Sequence, residues 1–186
     1  MKNRKLAVAG VAGVCLVGAV AGVATGATPA PTKTTIQQSS SLSFVPNRYI
    51  KDGLRWNRDV YRVRSGGTLH LVNSVINEGP HTFTVVKRTD LPRTAAQINR
   101  CKICEKLGQA HGADPNSDAP PKFVFLENGV GSQASPSVDR PGDSALIGPG
   151  EKKGESVDVK VSAKKGTTLN FMCIIHPWMQ ATVRVG

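Results

Sequence analysis

Four side chains in this sequence could together bind a soft metal ion. Cys173, His176 and Met179 follow one another with the spacing C-x2-H-x2-M, between two stretches of alternating, strand-like sequence. His81 lies far upstream, at the start of another such stretch. One thiolate, one thioether and two imidazoles suit copper, because sulfur ligands favour Cu(I) and imidazoles bind both oxidation states. The pattern predicts one mononuclear copper site, with a trigonal His2Cys set and Met179 as a weak axial ligand.

This motif and the strands around it resemble the cupredoxins, the small blue copper proteins such as plastocyanin and azurin. The resemblance covers roughly residues 55–87 and 150–186, which are the two ends of that fold. It implies a Greek-key antiparallel β-sandwich that holds a single type 1 copper ion. It also implies one-electron transfer outside the cytoplasm, with the redox partner docking at an apolar patch on the ligand loop.

The resemblance also assigns roles to the residues beside the four ligands. The candidates for the docking patch are Ile174, Ile175, Pro177 and Trp178. We expect electrons to pass through His176 at this patch. Thr82 follows His81 directly and is expected to donate or accept a hydrogen bond near the metal.

The small number of ligands argues against an enzyme. A catalytic second copper would need further histidines, and the chain has four histidines in all, with no His-x-His pair. We therefore interpret the protein as an electron carrier. Two alternatives stay open, a copper carrier or chaperone and an accessory subunit of a copper-dependent redox enzyme. The chaperone is disfavoured because the chain has only three methionines.

The elements that must position these ligands are short strands. Hydrophobic residues make up 39% of the chain, which is enough for a folded core, and 19 glycines and 12 prolines favour turns. Alternating segments separated by such turns predict an all-β fold over residues 44–186. The segments are Val60–Arg64, Thr68–Asn73, Thr82–Val86, Ser156–Val161, Thr168–Met172 and Ala181–Val185. Residues 28–43 are polar and are expected to form a flexible leader.

Residues 88–150 are expected to be a long, partly helical insert between two groups of strands. A helix is predicted after Pro92, with Thr94 as its N-cap. Within it, Cys101 and Cys104 have three open interpretations. The first is a local disulfide, which an oxidising compartment favours. The second is a metal site formed together with His111, and the third is a reactive redox pair.

Residues 1–27 have the pattern of a secretory signal peptide. Basic residues precede an apolar stretch, Leu6–Val23, and small residues follow it. The stretch is also long enough for an uncleaved membrane anchor. Either interpretation predicts a periplasmic or extracellular protein. Loss of Cys15 with this segment and pairing of Cys101 with Cys104 would leave Cys173 as a single thiol, which a metal would explain.

The chain has a net charge of +11, but its basic residues are not clustered with aromatic ones. This excludes the usual patterns of nucleic-acid binding. The charge instead predicts attraction to acidic redox partner proteins or to an anionic membrane surface. We expect a monomer that touches the membrane only through this attraction or through an uncleaved N-terminal segment.

Overall fold

The structure, a computed structural model, describes residues 28–75, 79–114, 116–117, 119–148 and 154–186. The predicted signal segment, residues 1–27, lies outside the described residues. Over the described ranges, no helix combines the length and the apolar character needed to cross a membrane.

Most of the described chain is β-strand. In chain order the strands are β1 (Lys33–Ser39), β2 (Leu42–Val45), β3 (Tyr49–Asp52), β4 (Arg55–Trp56), β5 (Val60–Val63), β6 (Thr68–Asn73), β7 (His81–Val86), β8 (Phe125–Glu127), β9 (Val130–Ser132), β10 (Ser137–Val138), β11 (Ser144–Ile147), β12 (Glu155–Val161), β13 (Thr168–Met172) and β14 (Gln180–Val185). The six predicted segments correspond to β5, β6, β7, β12, β13 and β14. Between β5 and β6 the chain turns at Gly66, whose φ of +74° favours glycine.

Two sheets pack face to face as a sandwich. The first sheet has the order β10-β12-β6-β1-β4, and the second has the order β5-β14-β13-β7-β11-β8-β9. Leu69 and Val159 of the first sheet share one buried core with Phe83, Phe171 and Val183 of the second. The chain crosses between the sheets repeatedly, which agrees with the predicted Greek-key sandwich. Three of the described strand pairs are parallel, namely β1–β6, β5–β14 and β10–β12.

The prediction of a flexible leader over residues 28–43 is wrong for its central part. Residues 33–39 form β1, which lies between β4 and β6 in the first sheet. Thr34, Ile36 and Gln38 point into the sandwich and are buried. Two of these three inward residues are polar, so the sequence does not show the alternation of apolar and polar residues that is typical of a strand. The backbone N–H of Ser74 donates to Gln38 Oε1, which satisfies the amide oxygen, whereas Gln38 Nε2 is buried without a hydrogen-bond partner.

The insert is smaller than predicted and is packed against the sandwich. Its last part belongs to the sheets, because β11 pairs with β7 and β10 pairs with β12. Its helical part contains a 3-10 turn (Arg88–Asp90) and two helices, α1 (Ala95–Ile98) and α2 (Lys102–Ala110). Thr94 caps α1 as predicted, accepting from the backbone N–H of Gln97.

A second buried cluster, which we call the insert core, joins this helical part to the second sheet. It consists of Val86, Leu107, Leu126, Met172 and Ile174. Leu107 comes from α2, whereas Met172 and Ile174 flank Cys173. The insert is thus fixed directly behind the predicted ligand loop.

Strands β2 and β3 form a separate hairpin that belongs to neither sheet. Its side chains Leu42, Phe44, Tyr49 and Ile50 are all more than half exposed. The hairpin leads directly into β4, which lies beside the ligand loop.

Candidate metal centre

The four predicted ligands meet at one end of the second sheet. His81 is the first residue of β7, Cys173 follows the last residue of β13, and Met179 precedes the first residue of β14. Because β7 and β13 are antiparallel neighbours, the start of one lies beside the end of the other. The loop 173–179 and the entry to β7 therefore form a common site.

Three donor atoms converge at this site. Cys173 Sγ lies 3.9 Å from His81 Nδ1 and 3.7 Å from His176 Nδ1, and the three atoms all lie within 4.8 Å of one another. Bonds of about 2.0–2.3 Å to a metal, as zinc makes, would place such donors roughly 3.5–4 Å apart. The spacing observed here therefore fits three ligands that share one ion.

Met179 completes the set from the other side of the loop. Its side chain is fully buried. Its backbone N–H donates to the carbonyl of His176 across 2.8 Å, and its carbonyl accepts from the backbone N–H of Cys173 across 3.0 Å. These two bonds close the loop, so that one short turn carries three of the four ligands.

The electrostatics of the site suit a metal. The pKa of His81 is lowered to about 4, mainly because the ring is buried and secondly because His176 lies nearby. The His81 ring is therefore neutral at pH 7. His81 Nε2 is buried without a hydrogen-bond partner. With the ring hydrogen on Nε2, the Nδ1 lone pair faces the site and is available to a metal.

Cys173 is the free cysteine of the described residues, and it is fully buried. Burial raises the pKa of its thiol, while hydrogen bonds from Thr82 and the loop backbone oppose that rise. A buried thiolate needs a positive partner, and a bound metal ion would supply it. The set of two neutral imidazoles, one thiolate and one thioether fits a type 1 copper ion.

Thr82 contacts the ligand loop in two ways. Its backbone N–H points to Cys173 Sγ at 3.3 Å, and its hydroxyl accepts from the backbone N–H of Ile174 at 2.9 Å. The residue after the first ligand therefore fixes both the thiolate and the start of the loop, which is the kind of outer hydrogen bond predicted for it.

The structure narrows the predicted docking patch. Ile174 is buried in the insert core and Pro177 is also buried, whereas Ile175 and Trp178 are 43% and 40% exposed. The half-buried ring of His176 meets Trp178 edge-on, with ring centroids 5.3 Å apart. The exposed apolar surface at this end of the molecule is thus formed by Ile175 and Trp178.

Cys101 and Cys104 form a disulfide at the start of α2. His111 lies at the other end of that helix and contacts Phe123 and Ser144. The structure therefore does not bring these three residues together as a second metal site. The disulfide lies beside the ligand loop, because both cysteines pack against the insert core.

Sequence reasoning missed two residues that support the site. The indole Nε1 of Trp56 donates to the Met179 carbonyl, and the amide of Gln180 donates to the carbonyls of Pro92 and Pro177. In the sequence, Trp56 is an isolated aromatic residue before β5, and nothing else about it indicates a contact with the ligand loop. Gln180 directly follows the axial ligand, but nothing in the sequence indicates that it reaches the insert.

No protein-family model matches this chain, and no curated protein matches it. Solved structures do resemble it. A reduced auracyanin from Roseiflexus castenholzii is 17% identical, with a TM-score of 0.42 and coverage of 85% of this chain and 99% of its own. Reduced rusticyanin is 15% identical, with a TM-score of 0.33 and coverage of 85% and 82%. A copper-containing nitrite reductase from Thermus scotoductus is 18% identical, with a TM-score of 0.36, and this chain spans 25% of it.

At these identities the interpretation of the site rests on this chain's own residues. The sandwich has a His2Cys triangle at one end and a buried methionine on the same loop. The resemblance to the cupredoxins that the sequence indicated is confirmed in the all-β fold and in the ligand arrangement. The site fits one type 1 copper ion, held by His81, Cys173, His176 and Met179.

Proposed function

We propose that this protein transfers single electrons at a type 1 copper centre outside the cytoplasm. The observation that carries this proposal is the convergence of Cys173 Sγ with the Nδ1 atoms of His81 and His176 in a buried, preformed triangle. Bound copper would supply the Cu(II)/Cu(I) couple. The backbone bonds of the loop hold the ligands in place, so little rearrangement is needed when the charge changes.

The same geometry favours a carrier over an enzyme. His70, the remaining histidine outside the insert, contacts Asp158 on the first sheet at 2.6 Å. His111 is engaged by Phe123 and Ser144. Over the described ranges, the His81, Cys173 and His176 triangle is the single group of metal-binding type. Both other histidines therefore make contacts with protein groups away from the triangle.

The surface around His176 supports docking of an acidic redox partner. Ile175 and Trp178 face a shallow groove whose opposite wall is the start of α2. Arg100, Lys102 and Glu105 are exposed on that wall, so basic residues outnumber acidic ones there by two to one. An apolar contact next to basic residues suits a partner with an apolar port and acidic surroundings. Electrons would pass through His176, whose ring adjoins Trp178.

An extracytoplasmic location is supported by the signal-like pattern of residues 1–27 and by the Cys101–Cys104 disulfide, which an oxidising compartment favours. Fusion of residues 1–32 to alkaline phosphatase tests it. We expect active, exported enzyme and, after cleavage, a mature chain that begins near residue 28. An inactive fusion retained in the cytoplasm would contradict the proposed location.

The test of function is the spectrum and redox titration of the copper-loaded protein. We expect a strong thiolate-to-Cu(II) charge-transfer band and a reversible one-electron titration. Cys173→Ser should abolish the band, whereas His70→Ala, a histidine away from the site, should retain it. A colourless complex that binds Cu(I) and does not titrate would instead indicate a copper carrier.

A further inference from the structure

The end of the sandwich opposite to the ligand loop carries a cluster of basic side chains. The turn at 64–67 meets the turn at 164–167 there, because the hydroxyl of Ser65 donates to the carbonyl of Ala163 across 2.8 Å. The end of β14 closes the same surface, since the backbone N–H of Gly166 donates to the Val185 carbonyl across 2.8 Å. The exposed basic residues of this surface, which we call the basic end, are Arg62, Arg64, Lys164, Lys165 and Arg184.

Two of these side chains lie next to each other with no counter-charge between them. Arg62 of β5 and Arg184 of β14 are partners in register. Both point outward, because the residues on either side of each are buried. Like charges at neighbouring positions of a sheet destabilise it. In the described part of the chain, no ion pair includes any residue of the basic end, so this charge is available to an external anion.

The acidic residues on the first-sheet side of this end already have basic partners. Asp158 of β12 contacts Lys33 at 3.3 Å and His70 at 2.6 Å. Asp139, which follows β10, is paired with Arg140. A terminal carboxylate at Gly186, whose carbonyl oxygen accepts from the Ser65 N–H, would offset one of the five charges. The basic end therefore keeps an excess of positive charge.

The composition of the basic end suits an anionic surface better than a protein interface. Among the described residues, the large exposed apolar side chains lie on the β2–β3 hairpin, at Val60, on the ligand loop and around β8 and β9, and none belongs to the basic end. Protein interfaces depend on aromatic or apolar anchors. Lysine and arginine side chains on turns attract anionic lipid headgroups, whose charge is spread over a plane.

The N-terminal segment enters the fold at the same end. The carbonyl of Pro31 accepts from the backbone N–H of Arg64 across 2.9 Å, and that of Thr32 accepts from Thr68 across 2.8 Å. The apolar stretch Leu6–Val23, interpreted above as part of a signal peptide or an uncleaved anchor, ends eight residues before Pro31. Eight residues span at most about 28 Å. Insertion of this stretch in a bilayer would therefore hold the basic end close to the headgroups.

We propose that the basic end binds the headgroups of anionic phospholipids, so that the sandwich stands on a bilayer with its ligand loop facing away. β13 begins at Thr168, beside Arg184 of the basic end, and leads to Cys173 at the other end of the sheet. The ligand loop then lies about one strand length, roughly 15–20 Å, farther from the bilayer than the basic end. Attachment to the membrane and docking of a redox partner use opposite ends of the molecule.

Sedimentation with lipid vesicles tests this inference. The chain from residue 28 onward contains both sheets and excludes the apolar stretch, so that stretch cannot account for binding. We expect binding to vesicles of equal parts phosphatidylglycerol and phosphatidylcholine at low salt, release at about 1 M salt, and no binding to phosphatidylcholine alone. A protein that stays in solution with the mixed vesicles would overturn the inference and leave an acidic protein as the partner of this end. The proposed copper function would stand if that protein were blue and redox-active.

The triple variant Arg64→Gln, Lys164→Gln and Lys165→Gln removes three charges from the basic end. We expect vesicle binding to weaken by roughly a hundredfold, because each basic side chain near an anionic surface contributes about fivefold. The copper spectrum should stay unchanged, since the substituted turns lie at the other end of the sheet from the ligands. Wild-type affinity in this variant would overturn the inference.

A matched control removes the same charge at the other end of the molecule. Arg48→Gln, Lys51→Gln and Arg55→Gln change three exposed basic residues on the β2–β3 hairpin and β4. We expect this variant to bind the mixed vesicles within about threefold of wild type, because the basic end is intact. Equal losses in the two triple variants would mean that only the net charge matters, which would overturn the inference.

A fluorescent label at each end tests the orientation. Thr168→Cys places an environment-sensitive label beside the basic end, and Ser43→Cys places it on the β2–β3 hairpin, and both positions are exposed. The native Cys173 is buried and Cys101 is paired with Cys104, so the label reacts with the introduced thiol. We expect the emission to shift to the blue on vesicle binding for Thr168→Cys and not for Ser43→Cys. A blue shift at Ser43→Cys, or none at Thr168→Cys in the bound protein, would overturn the proposed orientation and point to insertion of the apolar hairpin.

Discussion

The indole Nε1 of Trp56 donates a hydrogen bond to the carbonyl oxygen of Met179 across 3.0 Å. Trp56 belongs to β4 in the first sheet, whereas Met179 immediately precedes β14 in the second. The indole also contacts the His81 ring edge-on and packs against Phe171. One side chain therefore braces two of the four ligands from the opposite sheet.

Trp56→Phe should loosen the loop while keeping the copper. The lost hydrogen bond is worth about 1 kcal/mol, because the Met179 carbonyl keeps its bond from the Cys173 N–H. We expect a lower free energy of unfolding by about 1–2 kcal/mol and a shifted potential, measured by denaturant titration and voltammetry. Unchanged values of both would show that the indole does not brace the site.

Met179→Gln should change the potential without removing the metal. An amide oxygen is a harder donor than a thioether and favours Cu(II), so the potential should fall, by about 59 mV for a tenfold change in the equilibrium. Met172→Leu is the control, since Met172 is equally buried but belongs to the insert core. Complete loss of copper from Met179→Gln would contradict an axial role.

The ligand site could be predicted from sequence because its signals are local. Cys173, His176 and Met179 lie on one turn, and the alternation around them fixes the strands that carry it. The inward face of β1 was missed because Thr34 and Gln38 are polar, and their burial depends on partners such as Ser74 that are distant in sequence.

The role of the insert could not be read from sequence for a related reason. Leu107 and Ile174 share the insert core although the intervening chain is long, and no periodicity predicts that contact. His111 and Thr84 are likewise joined through Ser144, which contacts both. Contacts of this kind depend on how strands and helices pack against one another. The spacing of residues along the chain, in contrast, predicts only the individual strand, helix or loop to which they belong.

The Cys101–Cys104 disulfide should stabilise the insert more than the copper site. It closes a very short loop, for which chain entropy predicts about 2 kcal/mol at most. Replacing both cysteines with alanine should lower the free energy of unfolding by that amount and leave the charge-transfer band in place. Loss of the band in the folded double variant would show that the disulfide is needed to hold the ligand loop.

The metal-free protein should lose stability as the pH falls, in part because of His111. Its pKa is lowered in the folded state by burial, so below about pH 6.5 the unfolded chain takes up a proton that the folded chain does not. His111 therefore lowers the free energy of unfolding by up to about 1.4 kcal/mol for each unit that the pH falls. This loss stops once the pH is below the pKa of His111 in the folded protein. His111→Gln should show a shallower decline in denaturant titrations between pH 6.5 and 5. Parallel profiles for the two proteins would mean that His111 titrates alike in both states.

Trp178→Glu should slow electron exchange while leaving the copper spectrum unchanged. Trp178 is 40% exposed beside His176, and its indole donates to the Leu54 carbonyl, so the residue lies on the surface and not among the ligands. A carboxylate there would place a charge, with its desolvation cost, in the apolar surface that we propose as the contact for electron transfer. We expect at least a tenfold lower self-exchange rate by NMR line broadening. Val130→Glu, an exposed apolar residue on the edge strand β9, is the control for added negative charge. Equal rates for Trp178→Glu and Val130→Glu would move the electron port to another part of the surface.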